Sequence, residues 1–396
     1  MIGADATLLV VDDNEDNRDL LSRRLARFGY TNVATAANGR EALAHLRAKP
    51  FDLVLLDIMM PEMNGYEVLE HLKASNTLHD LPVIMISALD EIASVIKCIE
   101  LGAVDYLPKP FNPTLLRARV GASLEKKRLR DEIRFSLERL ERELEAARVL
   151  QLGMLPSVFP ARTPDRPVEV HATMEPAREV GGDLYDCFYA TDHLFCFLVG
   201  DVSGKGALAA MFMARTRSLA RMAVELWQQW SSEPIALARV AEAVNRELCQ
   251  NNDDRMFVTL FLGLLDTRDG VLAYVNAGHP LPHLLRASGG IGQLAGQPAM
   301  PVGVRPGTAY QARTAALGHG DAIVVVTDGV TEAMNEHGAL YGADRLAAVL
   351  RAAGRAAPAS IVHMVTDDMH GFAGTAPQAD DVTVLALRWF AAGRDQ

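Results

Sequence analysis

The sequence predicts an N-terminal α/β domain with a doubly wound parallel sheet, a C-terminal α+β sandwich of two antiparallel sheets flanked by helices, and a long helix between them. Three observations carry this prediction. In residues 1–122, short apolar runs alternate with amphipathic helical patterns, as in a βα repeat. In residues 157–396, strand-like runs mostly follow one another without helices, which is typical of antiparallel sheets. From about Pro113 to Pro156 the chain is highly charged and keeps a helical period, and residues 123–156 of this stretch form the expected linker between the domains.

In the first domain, each predicted strand ends in a polar side chain. The strand-like runs cover residues 7–11, 53–56, 83–86 and 104–107, and helical patterns cover residues 18–28, 40–48, 66–74 and 93–101. Sites in such sheets lie beyond the carboxyl ends of the strands. We therefore expect the polar side chains that follow the four runs to meet at one edge: Asp12 and Asp13, Asp57, Ser87, and Lys109.

These side chains have the chemistry for phosphoryl transfer to a carboxylate. Three aspartates at one edge repel one another unless a divalent cation neutralises them, and oxygen ligands favour Mg²⁺. Asp57 is then the expected nucleophile toward a phosphoryl donor, while Lys109 stabilises the phosphoryl oxygens and Ser87 hydrogen-bonds the attached group. A lone aspartate after a strand is usually a turn or a helix cap, but the joint occurrence favours a site.

Residues 5–122 resemble the receiver domain of two-component response regulators. The resemblance adds Tyr106 as the switch aromatic and implies the strand order 2-1-3-4-5. It also implies Mg²⁺ held by Asp13, Asp57 and the carbonyl of Met59, with Asp12 acting mainly through water, and a cis bond before Pro110. Its implied partner is a sensor histidine kinase that supplies the phosphoryl group to Asp57.

The connecting segment, residues 123–156, carries an apolar repeat. The apolar positions are spaced by four, three, four and three residues: Ile133, Leu137, Leu140, Leu144 and Ala147. This spacing predicts a seam that faces a second helix, with Gln151 at the next position of the seam. The clean repeat is about two heptads long, so two interpretations stay open: a parallel stalk that makes a homodimer, and an amphipathic helix packed on its own domain.

The second domain reads mainly as strands. Strand-like runs cover residues 168–174, 184–189, 194–199, 257–265, 271–276, 281–285, 322–327 and 382–389. Helical patterns cover residues 208–227, 235–251, 343–353 and 359–372. The expected architecture is two antiparallel sheets with helices on their outer faces.

Carboxylates at strand ends or tight turns recur in this domain, with glycine close by: Asp183, Asp201, Asp328 and Asp380. Glycine at such positions allows a close backbone approach. One Asp-Gly turn is usually structural. Four together suggest two hard cations about 3.5 to 4 Å apart, bridged by a carboxylate and able to activate water near neutral pH.

Residues 165–390 resemble the PP2C-type metal-dependent serine/threonine phosphatases, in the bacterial branch of sporulation and general-stress phosphatases. By motif, Asp201 bridges two Mn²⁺ or Mg²⁺ ions, Asp328 and Asp380 complete one site, and Asp183 with the Val202 carbonyl completes the other. The adjacent Asp381 is expected to orient a water. The resemblance implies hydrolysis of phosphoserine or phosphothreonine without a phosphoenzyme, with a phosphorylated anti-sigma-factor antagonist as substrate.

Three residues near these motifs need separate interpretation. Ser203 stands where many members of the wider family have a histidine suited to protonating the leaving group, and serine is a poor general acid. Arg178 is a candidate for gripping the substrate phosphate, although a lone arginine is usually a solvated charge. His279, between Gly278 and Pro280, is expected to shape a loop and is left out of the site.

Composition narrows the partners. The chain of 396 residues has 39 basic and 50 acidic residues, a formal charge of -11, which argues against non-specific binding to nucleic acid or an anionic membrane. Its four cysteines lack a metal-ligand spacing, and no apolar run reaches the roughly 20 residues needed to span a bilayer. We therefore expect a cytoplasmic protein with reduced thiols.

Two functional hypotheses follow. In the first, phosphorylation of Asp57 controls a metal-dependent phosphoserine/phosphothreonine phosphatase. In the second, the chain is a receiver-controlled adaptor or scaffold whose phosphatase-like domain binds without catalysis. Loss of metal carboxylates marks the second class, and all four are retained in this sequence.

Overall fold

The computed structural model describes residues 5–87, 92–230 and 236–391. The chain divides into two compact units, Met1–Glu141 and Arg142–Gln396. In the parts of the chain so described, none of the helices has both the length and the apolar character required to cross a membrane.

The first unit is a parallel sheet of five strands, in the order β2-β1-β3-β4-β5, with helices between them. The strands are β1 (Thr7–Val11), β2 (Asn32–Ala36), β3 (Leu53–Asp57), β4 (Val83–Ser87) and β5 (Asp105–Pro108). The helices are α1 (Glu15–Arg27), α2 (Gly39–Ala48), α3 (Gly65–Ala74) and α4 (Ile92–Leu101), with a 3₁₀ turn at Thr77–His79. The predicted doubly wound fold and its strand order are confirmed.

Both faces of this sheet are covered, so the central strands are buried throughout. Leu9 and Val11 pack in one core and Leu8 and Val10 in the other, as the two-residue period of a strand requires. The strand runs missed β2 (Asn32–Ala36), because this edge strand is short and only its last residue is fully buried.

Helix α5 (Pro113–Met154) agrees with the connecting helix predicted from about Pro113 to Pro156, and it begins ten residues before the linker limit at residue 123. Leu124 is buried in the core of the first unit, and Lys127 forms an ion pair with Asp52 at 3.2 Å. Farther along, Ile133 and Leu137 are 62% and 55% exposed. Within its own unit, this stretch therefore presents an apolar seam to solvent.

The second unit contains two antiparallel sheets, β13-β10-β9-β8-β7 and β12-β11-β14-β15-β6. Its strands are β6 (Val168–Glu175), β7 (Leu184–Tyr189), β8 (Leu194–Val202), β9 (Val258–Asp266), β10 (Val271–Ala277), β11 (His283–Leu285), β12 (Ile291–Gln293), β13 (Arg313–Ala316), β14 (Ala322–Val326) and β15 (Val382–Trp389). Its helices are α6 (Ala207–Trp230), α7 (Leu237–Leu248), α8 (Asp328–Thr331), α9 (Gly342–Ala353) and α10 (Pro358–Ala373). One core contains inward side chains of both sheets, including Phe197 and Leu385, which confirms the predicted sandwich.

The differences from prediction are local. Strands β12 and β13 were not predicted, because each is short and mostly exposed. Asp328 begins the short helix α8 instead of lying in a plain turn. The helix predicted over residues 235–251 is found at Leu237–Leu248, and residue 235 lies outside the described residues.

Candidate metal centres

The first site forms where the parallel strands of the first unit end. Among the described residues, Asp12, Asp13 and Asp57 are the one group of three potential ligands whose oxygens all lie within 4.8 Å of one another. Asp12 and Asp57 are buried, while Asp13 is exposed. A buried edge with three carboxylates and an open side fits a hydrated Mg²⁺ ion, which keeps several water ligands.

Lys109 forms ion pairs with two of these three carboxylates. Its ammonium group lies 2.8 Å from Oδ2 of Asp12 and 2.8 Å from Oδ2 of Asp57. Burial alone would lower the pKa of Lys109, but the hydrogen bonds to the two carboxylates outweigh it and raise that pKa. Burial also raises the pKa of Asp57, against the opposing effect of Lys109. Lys109 therefore stays charged and faces the carboxylate predicted to accept the phosphoryl group.

The other predicted residues of this site lie close in the fold. Ser87 is buried at the end of β4, and its carbonyl accepts the Lys109 amide at 2.7 Å. Tyr106 lies on β5, partly buried against the core. The peptide bond between Lys109 and Pro110 is cis, as the resemblance implied. Met59 follows β3 with its side chain 66% exposed, and the role of its carbonyl stays a prediction.

The second site begins with the pairing of β7 and β8. Leu184 pairs with Gly200, so the residues beyond them, Asp183 and Asp201, face each other at the end of the ladder. Asp183 is fully buried, and its Oδ2 accepts the hydroxyls of Thr327 at 2.8 Å and Thr383 at 2.6 Å. Asp183 is thus held by Thr383 on β15 and by Thr327, which directly follows β14, and both of these strands belong to the other sheet.

The interactions that shift their pKa values show that the four predicted carboxylates lie close together. Burial first, and then the negative charges of Asp328 and Asp380, raise the pKa of Asp201 to about 7. Burial and the charge of Asp201 raise the pKa of Asp183 well above its ordinary value, and the pKa of Asp328 is also raised, chiefly by burial. Acids placed so close together favour protons or cations.

The donor set suits divalent cations. It consists of carboxylate oxygens, which hard cations prefer, and positive charge would relieve the repulsion that raises the pKa of Asp201. In the described part of the chain, these acids do not form a group of three with all oxygens within 4.8 Å. The two-ion site, in which each ion takes only some of the acids, stays a prediction.

Two glycines allow the chain segments of this site to approach each other. A Cβ on Gly182 would lie 3.0 Å from the carbonyl oxygen of Val202, and one on Gly329 would lie 1.9 Å from the carbonyl oxygen of Asp381. The Val202 carbonyl, a predicted ligand, thus faces the turn that precedes Asp183.

Asp381 has a structural role that the sequence did not predict. Its Oδ1 accepts the amide of Ala177 at 2.7 Å, and its Oδ2 accepts the amides of Gly182 and Asp183. The side chain therefore holds the loop before Asp183, and its expected role in orienting a water stays a prediction.

The environment of Gln151 also differs from the prediction, which placed this side chain in an apolar seam facing a second helix. It is 5% exposed, its Oε1 accepts the amide of Gly181 at 3.0 Å, and its Nε2 donates to the Gly181 carbonyl. The repeat identified its helical face correctly, but that face packs on the second unit at this point. The end of α5 is therefore hydrogen-bonded to the loop that leads to Asp183.

Several residues near the site were assigned weakly or missed. Lys205, which the sequence reasoning missed, lies 3.3 Å from Oδ2 of Asp380 and donates to the Ala379 carbonyl. The signal in the sequence was a lysine between two glycines, Gly204 and Gly206. Both glycines have positive φ in the structure. Thr327 and Thr383 were also missed, although Thr327 directly precedes Asp328 and Thr383 lies three residues after Asp380.

The structure shows the surroundings of Ser203, Arg178 and His279. The Ser203 hydroxyl accepts the amide of Phe257 at 3.0 Å, and Arg178 is exposed in the loop before Asp183. His279 is buried, which lowers its pKa to about 3, and its backbone amide and carbonyl are both bonded to the side chain of Asn276. His279 therefore belongs to a structured loop and is neutral near pH 7.

Comparisons with known proteins agree with this division. Residues 8–121 match the model of the response regulator receiver domain, and residues 191–390 match that of Stage II sporulation protein E (SpoIIE). The second match begins after Asp183 and covers half of the chain.

Relatives are similar over part of their length. Protein IcfG of Synechocystis is 30% identical over 283 residues, 65% of this chain and 42% of that protein. The probable transcriptional regulator ycf27 of Pyropia yezoensis is 44% identical over 130 residues, 33% of this chain and 51% of that protein. The chain thus spans about half or less of the curated relatives it matches. The SiaA-PP2C domain of Pseudomonas aeruginosa shares the fold, with a TM-score of 0.55, 22% identity, and coverage of 64% of this chain and 98% of that domain.

The chain thus carries a response regulator receiver domain followed by a second domain whose fold is similar to that of the SiaA-PP2C domain. The chain belongs to the SpoIIE family.

Proposed function

We propose that this chain is a response regulator whose receiver domain controls a metal-dependent phosphoserine/phosphothreonine protein phosphatase. The observation that carries the proposal is the convergence of Asp183 and Asp201 with Asp328 and Asp380 where the two sheets of the second unit meet. The pKa of Asp201 is raised to about 7 by burial and by the neighbouring acids, as expected where carboxylates are gathered to hold cations.

Two Mn²⁺ or Mg²⁺ ions bound there would lower the pKa of a water molecule and neutralise charge on the substrate phosphate. The residues of the chain have distinct tasks in this proposal. Asp201 lies between the two halves of the site, and Asp328 and Asp380 belong to one half. Asp183 and the Val202 carbonyl belong to the other half, where Thr327 and Thr383 orient Asp183. Arg178, exposed beside the site, is the candidate contact for the substrate phosphate.

The reaction is hydrolysis of a phosphate monoester. Water attacks phosphorus, the bond from phosphorus to the serine or threonine oxygen breaks, and the leaving oxygen takes up a proton. Ser203 is poorly suited to supply this proton, because serine is a weak acid. Water at the metal site would supply it instead, and we expect slow turnover without activation.

Control by the receiver has a physical route in the end of α5. Gln151 accepts from and donates to Gly181, two residues before Asp183, so a displacement of this helix would move the loop that presents a metal ligand. Phosphorylation of Asp57 adds about 1.5 to 2 negative charges beside Lys109 and is the proposed trigger, with Ser87 and Tyr106 responding.

We also propose the domain limits 1–122, 123–156 and 157–396, and a homodimer through the connecting helix. The apolar side chains of Ile133, Leu137 and Leu140, each more than half exposed, support a second helix as partner. A sensor histidine kinase is the proposed phosphoryl donor. The proposed substrate is a phosphorylated anti-sigma-factor antagonist, supported by membership of the SpoIIE family.

The experiment measures Mn²⁺-dependent hydrolysis of p-nitrophenyl phosphate and of a phosphorylated antagonist protein, with and without beryllofluoride as a mimic of phospho-Asp57. We expect hydrolysis that Asp201→Ala abolishes, and a beryllofluoride response of about 5- to 150-fold that Asp57→Asn removes. Equal rates with and without beryllofluoride would refute the switch but leave the phosphatase. No hydrolysis under either condition, with metal bound, would favour the adaptor.

A further inference from the structure

A cavity of about 410 Å³ lies next to the second site. Asp380 and Lys205 line it, together with Gly329, which follows the predicted ligand Asp328. The rest of the lining is mostly apolar and comes from the segment after α8, the end of α10 and the loop before β15: Ala333, Met334, Leu340, Met369, Ala373, Ala376, Pro377 and Val382. The cavity therefore shares Asp380 with the second site, where the substrate phosphate is expected to bind.

The walls of this cavity are held in place by hydrogen bonds. The side chain of Glu336 accepts the hydroxyl of Thr375 at 2.5 Å, which ties the turn after α8 to the loop after α10. Gln378 donates to the carbonyls of Glu175 at 2.9 Å and Asp380 at 2.8 Å, which fixes the same loop near the site. A cavity with such walls is preformed, so filling it costs little reorganisation.

The interior of the cavity favours an apolar occupant. Met369 and Val382 are 2% and 1% exposed and form its floor, whereas Met334 and Leu340 are 43% and 56% exposed. Burying those two side chains against an apolar group would remove their apolar surface from water, which is favourable.

An acidic occupant is disfavoured. Lys205 lies 3.3 Å from Asp380, and His370 lies 2.9 Å from Glu175, so both basic groups at the rim already face a carboxylate. An acidic side chain entering this cavity would lose its hydration without gaining a free cationic partner, and it would meet the carboxylate of Glu332, which also lines the cavity.

A peptide bound at the site would bring such an apolar group within reach. An extended chain advances about 3.3 to 3.6 Å per residue, so residues one to three positions from a phosphorylated residue lie roughly 3 to 11 Å from it. Since Asp380 belongs both to the site and to the cavity wall, a neighbouring side chain can enter the cavity while the phosphate stays at the site.

We propose that this cavity is a substrate-recognition subsite. It takes one medium-sized apolar side chain, such as leucine, isoleucine or methionine, from a position one to three residues away from the phosphoserine or phosphothreonine of a protein substrate. The proposal rests on the proposed phosphatase function and specifies the class of sequence that it acts on.

The test uses the full chain with Mn²⁺ and beryllofluoride. The substrates are alanine-rich phosphoserine peptides, each with a single leucine at one of the three positions on either side of the phosphoserine, and the all-alanine parent. We expect leucine at one position to raise kcat/KM about tenfold or more over the parent. Replacing that leucine with aspartate should abolish the gain.

Variants locate the preference in the cavity. Ala373→Leu fills it from the end of α10 and should bring the kcat/KM ratio of leucine peptide to parent close to one. Leu340→Asp, at a position 56% exposed and therefore tolerant of change, should do the same by removing the apolar wall. The matched control is Ala359→Leu, at the other end of α10 with similar partial burial, which should keep the full ratio.

The outcomes separate the two proposals. Equal kcat/KM across the peptides, or a leucine preference that survives in both cavity variants, would overturn the subsite while p-nitrophenyl phosphate is still hydrolysed. Absence of p-nitrophenyl phosphate hydrolysis by the unaltered chain would overturn the phosphatase function and the subsite with it.

Discussion

The hydroxyl of Thr383 donates a hydrogen bond of 2.6 Å to Oδ2 of Asp183, joining residues that lie 200 positions apart in the chain. Thr327 donates to the same oxygen at 2.8 Å and itself accepts the Thr383 amide at 3.0 Å. These bonds orient a buried carboxylate at the junction of the two sheets. Groups that orient a metal ligand typically contribute about 10- to 100-fold to metal affinity, which makes the proposed role of Asp183 as a ligand testable through these hydroxyls.

Replacing Thr383 with valine should weaken metal binding. The variant keeps the branched shape but removes one hydroxyl from Asp183, and we expect Mn²⁺ affinity to fall about 10-fold or more. Isothermal titration calorimetry measures this, and Thr383→Ser should recover most of the loss. Thr366→Val is the matched control, because the buried Thr366 hydroxyl bonds only to backbone carbonyls of α10. An unchanged Mn²⁺ affinity in Thr383→Val would show that the hydroxyl has no orienting role.

Without metal, the second unit should be more stable in mild acid than at neutral pH. The pKa of Asp201 rises from 3.8 to about 7 on folding, so the folded state binds the proton more tightly. That contribution is present below about pH 4 and is lost as pH rises through about 7, on the order of 2 kcal/mol.

Thermal denaturation of the chelated protein at pH 5 and pH 8 tests this sign. Asp57 shifts in the same direction, so the comparison with Asp201→Asn isolates the second site, and this variant should show a smaller difference between the two pH values. Added Mn²⁺ should reverse the trend, because cations bind the deprotonated acids. Greater stability of the chelated protein at pH 8 than at pH 5 would contradict the prediction.

Asp186→Ala should destabilise the second unit severely. Asp186 is fully buried on β7, 3.0 Å from Arg217 and 3.1 Å from Arg221, so its removal leaves Arg217 without its acidic partner and Arg221 with only the more exposed Glu225. We expect a loss of about 3 to 5 kcal/mol in the free energy of unfolding by chemical denaturation. The control is Asp266→Ala, whose partner Arg268 is 67% exposed, and it should cost about 1 kcal/mol or less. Similar losses in the two variants would contradict a special role for the buried pair.

Gly329→Ala should disturb both stability and metal binding. The new Cβ would lie 1.9 Å from the backbone carbonyl oxygen of Asp381, so backbone next to Asp380 must move, at a cost of about 2 kcal/mol or more. In Gly371→Ala, by contrast, the Cβ meets open space on α10, and this control should gain about 0.5 to 1 kcal/mol. Chemical denaturation and Mn²⁺ titration measure the two effects, and intact Mn²⁺ affinity in Gly329→Ala would argue against the close approach.

The receiver edge was predictable because strand ends alone determine it. Parallel strands deliver their carboxyl ends to one edge, so finding four apolar runs in the sequence was enough to bring Asp57 and Lys109 together. In the second unit, the same reasoning found the four acids, since each adjoins a strand or a glycine turn. It missed Thr327 and Lys205, because threonines and lysines are common and only their neighbours in space distinguish them.

Gln151 shows the limit of a periodic pattern. The spacing of apolar residues identified the face of α5, but a helical repeat is the same whether its face meets another chain or the unit that follows it. The hydrogen bonds of Gln151 to Gly181 are decided by tertiary packing.

The sequence by itself determined the two domain classes and the acids predicted for both sites, because these depend on local period and on which residues end each strand; the strand order of the first sheet came from the resemblance to receiver domains. Only the tertiary structure decided how Asp183 is oriented, what Asp381 binds and where an apolar cavity opens beside Asp380. Those features arise from distances between residues far apart in the chain, and such distances are set by how sheets and helices pack, which no local pattern records.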